Sequence, residues 1–141
     1  MKFTQETDYA LRLVDAFSRM PLGDCVTAAK VAESENIPFR FLLRVLGKLK
    51  RAGIVASRRG VVGGYYLAKP GAEISLREVI EGVEGPIQIN RCLEHGSFCN
   101  ASRMPECRVH LTLAAIQARI LRELESYNFG NLKGGTTAKS P

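Results

Sequence analysis

The sequence predicts a mainly α-helical chain with one small β wing and a long helix near its C-terminus. Three observations carry the prediction. Apolar residues recur every three to four positions over residues 4–20, 38–52 and 107–126, the period of a helix with one buried face. Between the last two of these runs lie two short β-prone segments joined by Arg59-Gly60-Val61-Val62-Gly63-Gly64, the composition of a hairpin connection. The 141 residues, 45% hydrophobic and 24% charged, suit one domain, or a small domain with an appended element.

Each element has a local reason. In the first helix, over 4–20, Ala10, Leu13, Val14 and Phe17 share a face, and Pro21 with Gly23 ends the run. Thr27 suits an N-cap for a second short helix through about residue 34, because its hydroxyl accepts a free backbone amide. Asn36-Ile37-Pro38 is a turn, and Pro38 suits the first position of a third helix, where its missing N–H costs nothing. Phe39, Leu42, Leu43, Leu46 and Leu49 form the apolar stripe of that helix, and Gly53 is placed to end it. Residues 54–58 and 65–68 read as strands, and Lys69-Pro70-Gly71 closes the unit. Three helices followed by a hairpin is the order of a winged helix-turn-helix. Ser75 with Glu78 three residues on is a capping-box pattern, opening a short helix to about Val83 that Gly85-Pro86 breaks. Residues 87–106 are loop-like. Val109, Leu113, Ile116, Ile120 and Leu124 then make a seam through the last helix, which either packs inside the core or meets its twin in a dimer. The expected organisation is a winged-helix domain at 1–71, a loop and long helix at 72–132, and a disordered polar tail at 133–141.

The formal charge is +6, and all of the excess lies within residues 1–71. No acidic residue occurs between Glu35 and Glu73, a window holding Arg40, Arg44, Lys48, Lys50, Arg51, Arg58, Arg59 and Lys69. Such a field suits a polyanion; the plainer reading is a solvated basic face. Arg40, Arg44 and Lys48 are spaced by four and share one face of the third helix, with Arg51 about a turn beyond. The major groove of B-DNA admits an α-helix, and arginine reads guanine through O6 and N7. Lys48, Lys50 and Arg51 are expected at phosphates, which fix register without reading sequence. Arg58 and Arg59 are expected at the hairpin tip, where Gly60, Gly63 and Gly64 let the backbone turn tightly. An arginine there suits a narrow minor groove, whose negative potential is enhanced. The expected partner is double-stranded DNA.

Of the four cysteines, Cys25 stands alone and reads as a packed thiol, whereas Cys92, Cys99 and Cys107 cluster just ahead of His110. In a reducing compartment this suggests a metal or redox site before disulfides. The pattern Cys92-x6-Cys99-x7-Cys107-x2-His110 offers three thiolates and an imidazole. Zinc accepts that set, which would make the chain a zinc-stapled interaction module whose basic face meets an acidic protein, although zinc sites usually contain closer pairs. A loop this wide also suits an iron–sulfur cluster. A metal-free thiol–disulfide switch is a further alternative. His95 is an additional candidate ligand, with a solvated loop residue as its plainer reading.

Other classes are set aside on sequence grounds. No apolar run approaches the roughly 20 residues of a membrane helix, and the first residues lack the apolar stretch of a signal peptide. A cytoplasmic protein with no membrane partner is expected. Both histidines lie in the cysteine region, and no phosphate loop or nucleophile elbow is present, so an enzyme is not expected.

From about residue 1 to residue 132, the chain resembles the IscR/NsrR family of bacterial winged-helix iron–sulfur transcription regulators. The resemblance rests on Tyr9-Ala10 in the first helix and on the run from Leu42 to Gly53. It rests further on Arg59-Gly60-Val61-Val62-Gly63-Gly64-Tyr65, similar to the family's RGxxGGY wing, on residues 74–83, and on the placement of the three cysteines. It implies a homodimer built on the long C-terminal helix and bound to a palindromic operator, with Arg40 and Arg44 toward bases and Arg59 in the minor groove. It also implies that Cys92, Cys99 and Cys107 hold an iron–sulfur cluster whose state controls DNA binding, in response to redox, nitric oxide or iron supply. His110 as fourth ligand follows the IscR pattern and a [2Fe-2S] cluster, which is slightly favoured. Asp8 follows the NsrR pattern, in which an aspartate near the N-terminus reaches the partner's [4Fe-4S] cluster. Leu43 stands where IscR carries a polar base reader, so the target sequence does not carry over.

Overall fold

The computed structural model describes residues 2–94, 99–104 and 106–134. Its elements run α1 (Gln5–Ser18), α2 (Ala28–Glu35), α3 (Phe39–Arg51), β1 (Val55–Arg58), β2 (Gly64–Leu67), α4 (Leu76–Glu84) and α5 (Arg108–Ser126). Short 3-10 turns occupy Gly71–Glu73 and Arg91–Leu93. This is the winged-helix order that the sequence predicts. His95, and the part of the expected tail beyond residue 134, lie outside the described residues.

Side-chain caps set the helix starts. Thr4 Oγ1 accepts the Thr7 amide at 3.2 Å to open α1, and Thr27 Oγ1 accepts the Lys30 amide at 3.3 Å to open α2. Asn36, in the left-handed region at φ 54°, ends α2 and turns the chain toward α3. Pro38 stands one residue earlier than expected, as the N-cap of α3. Ser75 Oγ accepts the Glu78 amide at 3.0 Å. The return half of the capping box does not form, because the Glu78 carboxylate is taken by Lys69 at 2.9 Å.

The core is built by Ala10, Leu13, Val14 and Phe17 of α1 against Leu42, Val45, Leu46 and Leu49 of α3. Val79 and Val83 of α4 join it, with Ile54, Val55, Ile74 and Phe129. Each buried Val, Leu, Ile or Phe among them contributes roughly 1.5–3 kcal/mol relative to exposure. The buried stripe of α3 is rotated from the expected one. Val45 is buried, whereas Phe39 and Leu43 are 48% and 42% exposed. Leu43 follows Leu42 by about 100° of helix rotation, which carries it off the face that Leu42, Val45, Leu46 and Leu49 share. Phe39 opens the helix, before the packed turns begin. Gly82 lets α4 approach the end of α3, since a Cβ there would stand 3.0 Å from Ala52 Cβ.

In the wing, β1 and β2 pair antiparallel from Val55↔Leu67 to Arg58↔Gly64. Val26 extends the sheet by exchanging two backbone hydrogen bonds with Tyr65, at 3.1 and 2.8 Å. The paired glycines follow from this closeness. A Cβ on Gly63 would strike the Arg58 carbonyl, and one on Gly64, at φ +146°, would strike the Val26 backbone.

None of the 19 residues of α5 is buried. Its seam is therefore not part of this chain's core, and Val109, Leu111 and Ile116 face solvent. α5 packs on α4 and on the Arg91–Leu93 turn, and the Ile89 amide donates to Gln117 Oε1 at 2.8 Å. Beyond α5 the chain returns to the main body. The Leu76 amide donates to the Tyr127 carbonyl at 2.9 Å, Ser75 and Asn128 form a bridge, and Phe129 enters the core.

Candidate nucleic-acid interface and cysteine cavity

Because its core stripe anchors α3, the opposite side turns outward. Arg40, Arg44 and Arg51 are exposed and Lys48 is half-buried. Among the described residues Arg40, Arg51 and Arg59 form no ion pair. Arg44 and Lys48 instead converge on Glu6 of α1, with Nη1 3.3 Å from Oε2 and Nζ 2.6 Å from Oε1. The Lys48 hydrogen bond holds the Glu6 carboxyl below the usual carboxylate range; partial burial opposes this, and Arg44 adds to it. The Arg44 guanidinium also lies over the Phe41 ring, 5.4 Å from its centroid, and Phe41 meets Tyr9 edge-on at 6.4 Å. Lys50 donates from Nζ to Ser57 Oγ at 2.7 Å. The charge pattern of the sequence marks the basic residues but not their partners Glu6 and Phe41.

The wing departs from expectation at one residue. Arg58 was expected at the tip but ends β1, and its guanidinium lies over Tyr66 at 5.3 Å and reaches the Gly23 carbonyl at 3.5 Å. Arg59 stands exposed where the tip turn begins, followed by exposed Val61 and Val62. The wing thus carries one arginine laid along its side and one exposed at the start of its tip turn.

The cysteines come together from three separate positions. Cys92 lies in the 3-10 turn, Cys99 in the loop that follows, Cys107 is the N-cap residue of α5, and His110 lies in the first turn of α5. All four line one cavity of about 320 Å³, together with Asn90, Met104 and Val109. His110 Nδ1 stands 3.3 Å from Cys92 Sγ, and Asn90 Nδ2 donates to the same sulfur at 3.2 Å. The amides of Arg103, Ala101 and Ser102 hold the Cys99 thiol below its ordinary range, the Arg103 amide most strongly, against a smaller opposing effect of burial. All four cysteines, Cys25 included, are free thiols. Among the described residues no three His, Cys, Asp or Glu side chains converge on a point that would hold a single metal ion. Asp8 is not on this cavity; it is exposed on α1 and pairs with Arg12 at 3.5 Å.

The sequence matches the model of the Rrf2 family, described as an iron-dependent transcriptional regulator, over residues 3–134. The chain belongs to the Rrf2 family. As a member of it, this is a winged-helix transcriptional regulator and not an enzyme. Among solved structures, the Rrf2-family chain is similar to IscR of T. potens, with 19% identity, a TM-score of 0.72, and coverage of 92% of this chain and 84% of that one. It is similar to CymR, the global cysteine regulator of B. subtilis, with 21% identity, a TM-score of 0.67, and coverage of 92% and 94%. It is also similar to the oxidized form of Staphylococcus aureus CymR, with 23% identity, a TM-score of 0.72, and coverage of 98% and 100%. At these identities the likeness is one of fold. Among the described residues no helix is long and apolar enough to cross a membrane.

Proposed function

We propose that this regulator is a cytoplasmic bacterial homodimer that binds a palindromic operator under the control of an iron–sulfur cluster held by Cys92, Cys99, Cys107 and His110. The observation that carries the reading is the single cavity lined by all four side chains, drawn from a turn, a loop and a helix start. Donors spread around a cavity suit a multi-iron cluster better than one zinc ion, whose four ligands stand within about 2.3 Å of one centre. His110 beside Cys92 favours it over Asp8 as fourth ligand, and with it a [2Fe-2S] cluster. When bound, such a cluster supplies a centre sensitive to redox state, nitric oxide and iron supply.

The chain's own residues relate that cavity to DNA. Cys92 lies three residues beyond Ile89, whose amide is tied to Gln117 of α5, and Cys107 caps α5. A cluster held by both cysteines would therefore set how the start of α5 stands. α5 packs on α4, and α4 shares its core with α1 and α3. Loss or oxidation of the cluster would shift the population of α5 placements. In a dimer joined along Val109, Leu113, Ile116, Ile120 and Leu124, that shift changes the separation of the two α3 helices. Half-sites one helical turn apart, about 34 Å, accept one separation. Arg40 and Arg44 face bases, Lys48, Lys50 and Arg51 meet phosphates, and Arg59 serves the minor groove, with Arg58 held along the side of the wing.

Anaerobic native mass spectrometry of the wild type, His110→Ala and Asp8→Ala tests this reading. The expected wild type is a coloured dimer carrying one cluster per subunit, with the cluster lost or altered in His110→Ala and kept in Asp8→Ala. A colourless protein with stoichiometric zinc would replace it with a zinc-stapled module. A metal-free protein whose operator binding still depends on the three cysteines would replace it with a thiol switch.

A further inference from the structure

We propose that Glu6 is a positioning residue for DNA reading: from α1 it presets Arg44 and Lys48 of α3 before DNA arrives. The inference rests on the DNA-binding reading above. In this cluster the carboxylate is the sheltered member. The Glu6 side chain is 20% exposed, against 31% for Lys48 and 61% for Arg44. The two cations therefore project outward from a common anionic base, across a gap of 38 and 42 residues in sequence.

That base is itself held from two directions. Thr4 caps the turn in which Glu6 lies. Glu84, the last residue of α4, accepts hydrogen bonds from the Thr4 amide at 3.1 Å, from Thr4 Oγ1 at 3.2 Å and from Thr7 Oγ1. Thr7 is fully buried. On its other flank Arg44 lies over Phe41, and Phe41 is wedged against Tyr9. Arg44 is thus bounded by a carboxylate on one side and an aromatic ring on the other.

The donor inventory makes this preorganisation rather than occlusion. A guanidinium presents five N–H donors in a rigid fork. Glu6 engages Nη1 of Arg44, and among the described residues no other acceptor takes the remaining donors, which suit O6 and N7 of a guanine. Holding the fork beforehand spares the entropy of ordering a long side chain on binding. The same carboxylate repels phosphates, and it does so on every DNA sequence. The net effect is discrimination gained at the expense of general affinity.

The test uses the full-length protein and an operator selected by the wild type from a random duplex library. Dissociation constants for the operator and for a scrambled duplex are measured at one salt concentration for the wild type, Glu6→Gln, Arg44→Ala and the double variant. Glu6→Gln is expected to bind scrambled DNA more tightly while its operator-to-scrambled ratio falls roughly threefold to tenfold, the scale of a direct pair coupling. In the Arg44→Ala background, Glu6→Gln is expected to leave the ratio unchanged. Glu6→Asp keeps the charge but shortens the reach; it should lower the ratio without tightening scrambled binding, and it serves if Glu6→Gln fails to fold. An unchanged ratio in Glu6→Gln reduces Glu6 to a bystander charge, and a raised ratio makes it a mask; either overturns the proposal. A wild type that selects no sequence overturns the DNA reading itself, and this inference with it.

Discussion

α3 and α5 are both amphipathic helices with long aliphatic stripes, yet the chain treats them in opposite ways. α3 buries Leu42, Val45, Leu46 and Leu49 to 1% exposure or less, while α5 buries none of its residues and leaves Val109, Leu111 and Ile116 in solvent. The winged-helix body completes its core within one chain. The cysteine-bearing arm does not, and an open apolar seam forfeits roughly 25 cal/mol for each Å² left uncovered. The contrast separates a part that folds by itself from a part that a second copy completes under the proposed function.

Substitutions along the two stripes sharpen or break this contrast. Leu46→Ala, in the completed core, is expected to lose about 2–5 kcal/mol in denaturant unfolding, whereas Leu111→Ala, exposed on the arm and outside the seam, should stay within about 0.5 kcal/mol. Equal losses would abolish the distinction. Ile116→Asp should leave the far-ultraviolet helical signal intact and shift sedimentation from dimer toward monomer; an unmoved sedimentation coefficient would place the subunit interface elsewhere.

The remaining effects are smaller and lie within the body. Lys50→Ala should weaken binding to all DNA sequences alike and lower the salt slope by about one. Glu84 gives the mildest effect. Burial raises its carboxyl, but the hydrogen bonds from Thr7 and Thr4, with the charge of Lys48, outweigh that and hold it below the ordinary value of 4.5. A group lowered on folding stabilises above its unfolded pKa and loses that contribution as pH falls through the folded one. Below about pH 4.5, the wild-type melting temperature should therefore fall more steeply than that of Glu84→Gln.

Much of this architecture was legible because its signals are local. Thr27 and Ser75 each serve a donor three residues on, and Gly63 and Gly64 of the wing answer a backbone approach within the hairpin or its neighbour. The cysteines stood out as a group because they are close in sequence, and Cys92, Cys99 and Cys107 line one cavity. What escaped was mostly tertiary. A glutamate in the first turn of a helix is favoured by the helix dipole in any case, so nothing marked Glu6 as the partner of two residues on another helix. Arg58 looked like a tip residue until Tyr66 and the Gly23 carbonyl drew it along the wing. Leu43 and Phe39 were placed inward because, in a helix so rich in leucine, hydrophobicity alone does not fix which of two adjacent faces turns inward. Phe129 carried no signal, since a lone aromatic after the last helix has no period to betray its burial.

That last aromatic also gives α5 its mechanics. Tyr127, Asn128 and Phe129 pin one end of the helix to the body, and Cys107 sits at the other. The 19 residues between span about 28 Å at 1.5 Å each. Under the proposed function the helix acts as a lever with its fulcrum at the pinned end. A tilt of about 5° at the fulcrum sweeps the far end through roughly 2.5 Å over that length, so a push at the cysteine end reaches the winged-helix body as a small, forceful rotation.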